Sequence, residues 1–264
     1  MTAVRLFRRE FGKENTQKMI ILHGLFGMSD NWVGIAKFFS SKYHVIIPDH
    51  RNHGLSPHTD EFGYEEMTED LLLLMDEENI SSAVLLGHSM GGKLAMNFAF
   101  EYPQRVDALI IADMSMKQGE FRANHAAILK TIADTDLKLY KSFSALQQHL
   151  ESQISEKRIV HFVMKNVLRE PQGRFKWKLN FLPVYDNIHK VMEEVVPGEP
   201  FNKPVLVIRG GKSDYVSDDD FKEMKEVFPL AAMETMEKAS HWLHADDTQT
   251  FIKIVDDFLS KLPY

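Results

Sequence analysis

The stretch Gly87-His88-Ser89-Met90-Gly91 constrains this chain more than any other, because of what flanks it. Ala83 to Leu86 is a short continuous apolar run, the pattern of a strand covered on both faces, and Gly92 to Glu101 reads as a helix. A Gly-x-Ser-x-Gly turn from strand to helix holds the serine in a strained backbone conformation with its hydroxyl above the sheet. The glycines let strand and helix approach closely there. Gly91, Ala95 and Ala99 share one helical face, which predicts a helix lying tightly on the sheet. Taken without its flanks, the pentapeptide would be an ordinary turn.

The rest of the chain supplies the sheet. Val4 to Phe11 alternates loosely and suggests an edge strand. Met19 to Leu22, His44 to Pro48, Asp107 to Ala112, Val205 to Ile208 and Ala231 to Thr235 read as further strands. Between them, Trp32, Ile35, Phe38 and Phe39, and then Met67, Leu71, Leu74 and Met75, recur at helical spacing. A last helix carries Phe251, Ile254, Val255, Phe258 and Leu259 on one face, capped by Asp246 or Asp247. This alternation predicts an α/β fold with a mostly parallel central sheet and helices on both faces.

From Met114 to about Pro200 the alternation stops. Ile128, Leu129 and Ile132, then Phe143, Leu146 and Leu150, then Ile159, Val160 and Val163 suggest three helices. We expect an inserted helical cap at 114–200, lying over the strand ends of a core formed by 1–113 and 201–264. Such a cap would enclose a pocket and limit water access. After Pro171-Gln172-Gly173, Arg174, Lys176 and Lys178 alternate with large apolar residues including Trp177, and the three cations read as a solvated face.

Composition narrows the function classes. A formal net charge of −7 disfavours nucleic acid as a partner, and the absence of cysteine removes disulfides, thiolate catalysis and Cys-ligated zinc. No apolar stretch reaches the length of a secretory signal or a membrane span, so a cytoplasmic protein without membrane association is expected. His50 and His53, or His241 and His244, lie in loops without a clear third ligand, so neither a metal nor another cofactor is expected.

A serine hydroxyl needs a base, and the base needs an orienting acid. His241, on the loop after the last strand, is the candidate base, with His244 as its rival. Two strand-end aspartates could supply the acid: Asp214, after a glycine pair, and Asp113, after the strand that follows the nucleophile helix. The oxyanion of an acyl-transfer intermediate needs two preset N–H donors. Met90 offers one from the helix start; Leu25 in His23-Gly24-Leu25-Phe26-Gly27 is the candidate for the other, with Phe26 as alternative. Phe26, His88, Trp177 and Trp242 are the expected substrate-lining side chains.

These pieces resemble a known family. His23-Gly24-Leu25-Phe26-Gly27, Asp49-x-Arg51-Asn52-His53-Gly54-x-Ser56-Pro57, Gly87 to Lys93, Arg209-Gly210-Gly211 and His241-Trp242-x-His244-Ala245 are similar to cap-bearing α/β-hydrolases. More narrowly, they are similar to small bacterial esterases and a related mammalian abhydrolase-domain esterase. The resemblance implies Asp113 as the acid, although this chain also has Asp214, and Ser240 where the group has glycine. It implies hydrolysis of carboxylic esters or thioesters with short to medium acyl chains, acyl-CoA among them, by a monomer or small homo-oligomer. Carbon–carbon bond hydrolysis by the same triad, or non-catalytic binding of a small ligand, are the alternative functions.

Overall fold

The computed structural model describes residues 2–119, 123–154 and 156–262. Its main sheet contains seven strands in the order β1-β3-β2-β4-β5-β8-β9. These are β1 (Arg8–Phe11), β2 (Lys18–Leu22), β3 (His44–Pro48), β4 (Ala83–His88), β5 (Val106–Ala112), β8 (Val205–Gly210) and β9 (Ala231–Met236). All neighbours are parallel except the β1–β3 pair. Burial follows position: every residue of central β4 is buried, whereas edge strand β9 alternates.

The first strand is shorter than the alternation from Val4 predicts. Arg8 pairs with Pro48, the end of β3, and one further backbone bond, Asp49 N–H to Phe7 O at 2.8 Å, closes the ladder. The Phe7 N–H turns instead to Ser56 Oγ, 2.9 Å away.

Strand periodicity divides the core into two layers. Ile20, Leu22, Leu85 and Ile111 face one side with the helices Tyr64–Glu77 and Met90–Glu101. Met19, Ile21, Val84 and Leu86 face the other, with the helices Val33–Phe39 and Thr248–Leu259. Trp32, Ile35 and Phe39 are buried as their spacing requires, while Phe38 faces outward. Asp247 caps the last helix by accepting the Thr250 N–H.

Between β5 and β8 the chain leaves the main sheet. The helices Ala123–Asp134, Phe143–Gln153 and Lys157–Lys165 carry the expected buried residues, except that Phe143 is exposed. The alternating stretch after Gly173 is no helix. It forms β7 (Phe175–Trp177), antiparallel to β6 (Val167–Arg169), and two short helices follow, Phe181–Asp186 and Ile188–Met192. Entry and exit of the insertion pair with each other, through Gly119 N–H to Met192 O and Val195 N–H to Met116 O. No helix among the described residues is long and apolar enough to cross a membrane.

Candidate active site

Ser89 closes β4 with φ 54° and ψ −121°, a conformation unfavourable for a side chain with a Cβ. Its neighbours explain how it is held. A Cβ on Gly87 would sit 2.1 Å from Gly91 O, and one on Gly91 would sit 2.2 Å from Leu22 O. Strand, turn and helix therefore meet at backbone contact only because both positions are glycine. The Ser89 N–H donates to Ala112 O of β5 (3.1 Å), while Ser89 O accepts the Gly92 and Lys93 N–H groups of the helix.

Asp113 follows β5 directly, and its own N–H continues the ladder to Ile208 O at 2.7 Å. Its side chain is wholly buried and takes three donors: the Gly210 N–H on Oδ1 (2.8 Å), and Ser213 Oγ and His241 Nδ1 (2.7 Å) on Oδ2. The other ring nitrogen, His241 Nε2, lies 3.0 Å from Ser89 Oγ. With Nδ1–H given to a carboxylate, Nε2 has a lone pair facing the serine proton, which is what deprotonation of Oγ requires. Asp214 is exposed and is not the carboxylate on His241. The strand order gives the reason: β5 adjoins the nucleophile strand β4, and β8 lies one strand further away.

His244, the rival base, is half-buried and stacked on Trp32 at 4.2 Å, and desolvation holds it well below the ordinary histidine range. It does not reach Ser89 by any described hydrogen bond. Tyr215 stacks on the His241 ring, and His88 Nε2–H donates to the His241 carbonyl at 2.8 Å. Sequence reasoning missed Ser213 and Tyr215. Their signal was their place just after Gly210-Gly211, on the chain's return beside the strand end.

The second glycine loop forms a tight turn, Gly27 N–H to Gly24 O at 2.9 Å, with Phe26 at φ 62°. His23 adds a second donor to that carbonyl: its Nε2 accepts the His50 N–H (3.0 Å), so Nδ1 carries the proton and donates to Gly24 O (2.8 Å). Because a trans peptide points its C=O and N–H oppositely, fixing Gly24 O aims the Leu25 N–H the other way. The Phe26 N–H is committed to His53 Nε2 at 3.2 Å, which removes Phe26 as an alternative donor. Among the described residues, no hydrogen bond uses the N–H of Leu25 or of Met90. Burial lowers His23 to about 4 and His53 and His88 to about 3, so the three are neutral packing and hydrogen-bonding groups. Among the described residues, no group of three His, Asp or Glu side chains could hold a metal ion.

Ser89 and Leu25 line two cavities at once. One, of about 280 Å³, is walled by Met90, Met114, Met192 and Val191, with Lys93 and Asp214. The other, of about 260 Å³, contains Phe26, His88, His241 and Trp242 and is edged by Arg158, His161 and Lys165. Trp177 lines neither. It pairs with Val167 in the ribbon, where its half-buried ring packs on the hydrophobic cluster that the insertion shares with one layer of the sheet.

Comparison with known proteins gives the family. A family model for the alpha/beta hydrolase fold matches residues 18–135. The chain is 33% identical over 255 residues to the mouse (Mus musculus) sn-1-specific diacylglycerol lipase ABHD11, with 94% of this chain and 83% of that protein covered. It is 29% identical over 252 residues to esterase YbfF of Escherichia coli, covering 94% and 95% of the two. The solved structure of a marine microorganism esterase superposes with a TM-score of 0.93 at 35% identity, over 97% of this chain and 100% of that one. The chain belongs to the α/β-hydrolase family, among its esterase- and lipase-type hydrolases.

Proposed function

We propose that this protein cleaves carboxylic esters and thioesters through an acyl-enzyme on Ser89. The observation that carries the reading is the unbroken chain from Asp113 Oδ2 to His241 Nδ1 (2.7 Å) and from His241 Nε2 to Ser89 Oγ (3.0 Å). Ser89 Oγ attacks the carbonyl carbon as its proton passes to His241 Nε2. The carbonyl oxygen, now negative, takes the N–H groups of Leu25 and Met90. As the bond to the leaving alcohol or thiol breaks, His241 returns the proton to it. Water, deprotonated by the same nitrogen, then attacks the acyl group and releases a carboxylic acid and free Ser89. No cofactor enters any step.

Proton return fixes the leaving-group side. His241 lines the cavity with Trp242, Arg158, His161 and Lys165, so the leaving group departs there, and the methionine-walled cavity takes the acyl chain. A volume of about 280 Å³ lies at the small end of ligand pockets and suits short to medium chains. The cations on the leaving-group side suit a thiol bearing phosphates, as in acyl-CoA. In this reading residues 114–200 act as the cap over the core.

The test is a fluorophosphonate probe followed by mass spectrometry, with heat-denatured protein and Ser89→Ala as controls, and then a panel of esters and thioesters graded by chain length. A single adduct on Ser89 of the native protein, and loss of hydrolysis in Ser89→Ala, are expected. Turnover by Ser89→Ala close to wild type would overturn the mechanism. Cleavage of vinylogous diketones without cleavage of simple esters would move the activity to carbon–carbon bonds.

A further inference from the structure

The turn that aims the Leu25 N–H depends on a residue in an unfavourable conformation. In Gly24 to Gly27, Phe26 occupies the third position at φ 62°, where a turn of this kind normally has glycine. A phenylalanine stays there only if its surroundings hold it. Its N–H is gripped by His53, from the loop after β3. Its carbonyl is gripped from elsewhere: Asn166 Nδ2 donates to Phe26 O at 2.9 Å, across 140 residues of sequence.

Asn166 belongs to the insertion. It is fully buried, directly after the helix Lys157–Lys165, and its backbone joins that helix to the ribbon through N–H to Val163 O (2.9 Å) and Lys178 N–H to its own O (2.7 Å). The same helix edges the leaving-group cavity with Arg158, His161 and Lys165. One further detail shows what the amide is for. Asn166 Oδ1 is buried with no hydrogen-bond partner among the described residues. Nδ2 also donates, at a longer 3.4 Å, to Phe162 O of the preceding helix, and turning the amide over would set oxygen against both carbonyl oxygens, so an unsatisfied acceptor is tolerated to keep the donor on Phe26 and Phe162.

We propose that Asn166 is a positioning residue that couples the seating of the inserted segment to the oxyanion donor. Its amide holds Phe26 in the left-handed conformation, which keeps Gly27 N–H on Gly24 O and the Leu25 N–H directed at the reacting carbonyl. The inference rests on the reading of Ser89 as nucleophile and Leu25 as oxyanion donor.

Asn166→Ala and the equally sized Asn166→Asp are to be compared with wild type for kcat, KM and affinity for an alkylboronic acid, whose tetrahedral adduct fills the oxyanion site. In the Ser89→Ala background, affinity for the intact ester measures ground-state binding. We expect kcat and boronate affinity to fall together by roughly ten- to a hundredfold, short of the full ~10²–10³ for a deleted donor, with ester affinity within about threefold. A Phe26→Gly background separates positioning from mere packing, because glycine takes positive φ without help. There the effect of Asn166→Ala on kcat should shrink to a few-fold. An undiminished effect in that background, or boronate and ester affinities falling equally, overturns the proposal, as does an unchanged kcat. Fluorophosphonate labelling of wild-type Ser89 is scored separately: its failure removes the underlying reading, whereas labelling with no Asn166 effect removes only this inference.

Discussion

Tyr215 lies flat on His241, the ring centroids 3.7 Å apart and the planes 14° from parallel. The imidazole is thus fixed in three ways: by its Asp113 bond, by His88 on its backbone carbonyl, and by an aromatic face. An aromatic pair contributes about 1 kcal/mol beyond area burial, roughly a fivefold change in a population. Tyr215→Ala should lower kcat by about that factor with thermal stability little changed, while Tyr215→Phe retains the stacking. A Tyr215→Ala enzyme with unchanged kcat would show that the carboxylate alone orients the ring.

The two candidate acids separate by single substitutions. Asp113→Asn leaves an amide opposite His241 Nδ1 and selects the wrong tautomer, so turnover should fall by up to ~10⁴, as for the corresponding change in a serine protease. Asp214→Asn, at an exposed position on the neighbouring cavity, should stay within about tenfold. Steady-state kcat on one ester decides it, and the reverse order would reassign the acid.

Acid should unfold this protein earlier than its carboxylates require. Burial holds His23 near 4 and His53 and His88 near 3, and holds His50 and His244 well below the ordinary value of about 6.5. The unfolded chain therefore binds protons at these sites as pH falls below about 6.5 while the native chain does not. Stability is full above that value and declines down to about 3–4. Each histidine adds up to about 1.4 kcal/mol per pH unit to the slope. Urea unfolding at pH 7, 6 and 5 should show the decline, and His53→Gln should flatten it by one histidine's share. An equal slope in His53→Gln would mean that His53 is protonated in the native state.

Much of this was legible in the sequence, for a physical reason. Parallel strands buried on both faces leave continuous apolar runs, so β2 to β5 and β8 announced themselves, and the nucleophile turn lies where such a run meets a helix. His241 followed from its position after the last strand. What failed was information held in tertiary neighbours. Trp177 looked like a pocket residue by size, but β6–β7 pairing sets it against the shared hydrophobic cluster, outside both cavities. Ser213 and Asn166 act through partners 100 and 140 residues away and Tyr215 through His241 beyond the next strand, and nothing local to a serine, tyrosine or asparagine records such a partner. The short ribbon is not legible inside an insertion expected to be helical, because three residues per strand are too few to separate a period of 2 from one of 3.6.

The Asp113 carboxylate is held by Gly210 and Ser213, and the ring it orients belongs to residue 241. A chain emerging from the ribosome therefore completes its nucleophile turn when more than half of its length is still to be made. At that stage the serine has neither a base nor an oriented acid, and it is chemically an ordinary alcohol. Reactivity arrives only with the last strand and the loop beyond it, so a nascent or truncated chain ending before His241 would carry the nucleophile harmlessly, without acylating itself on cellular esters.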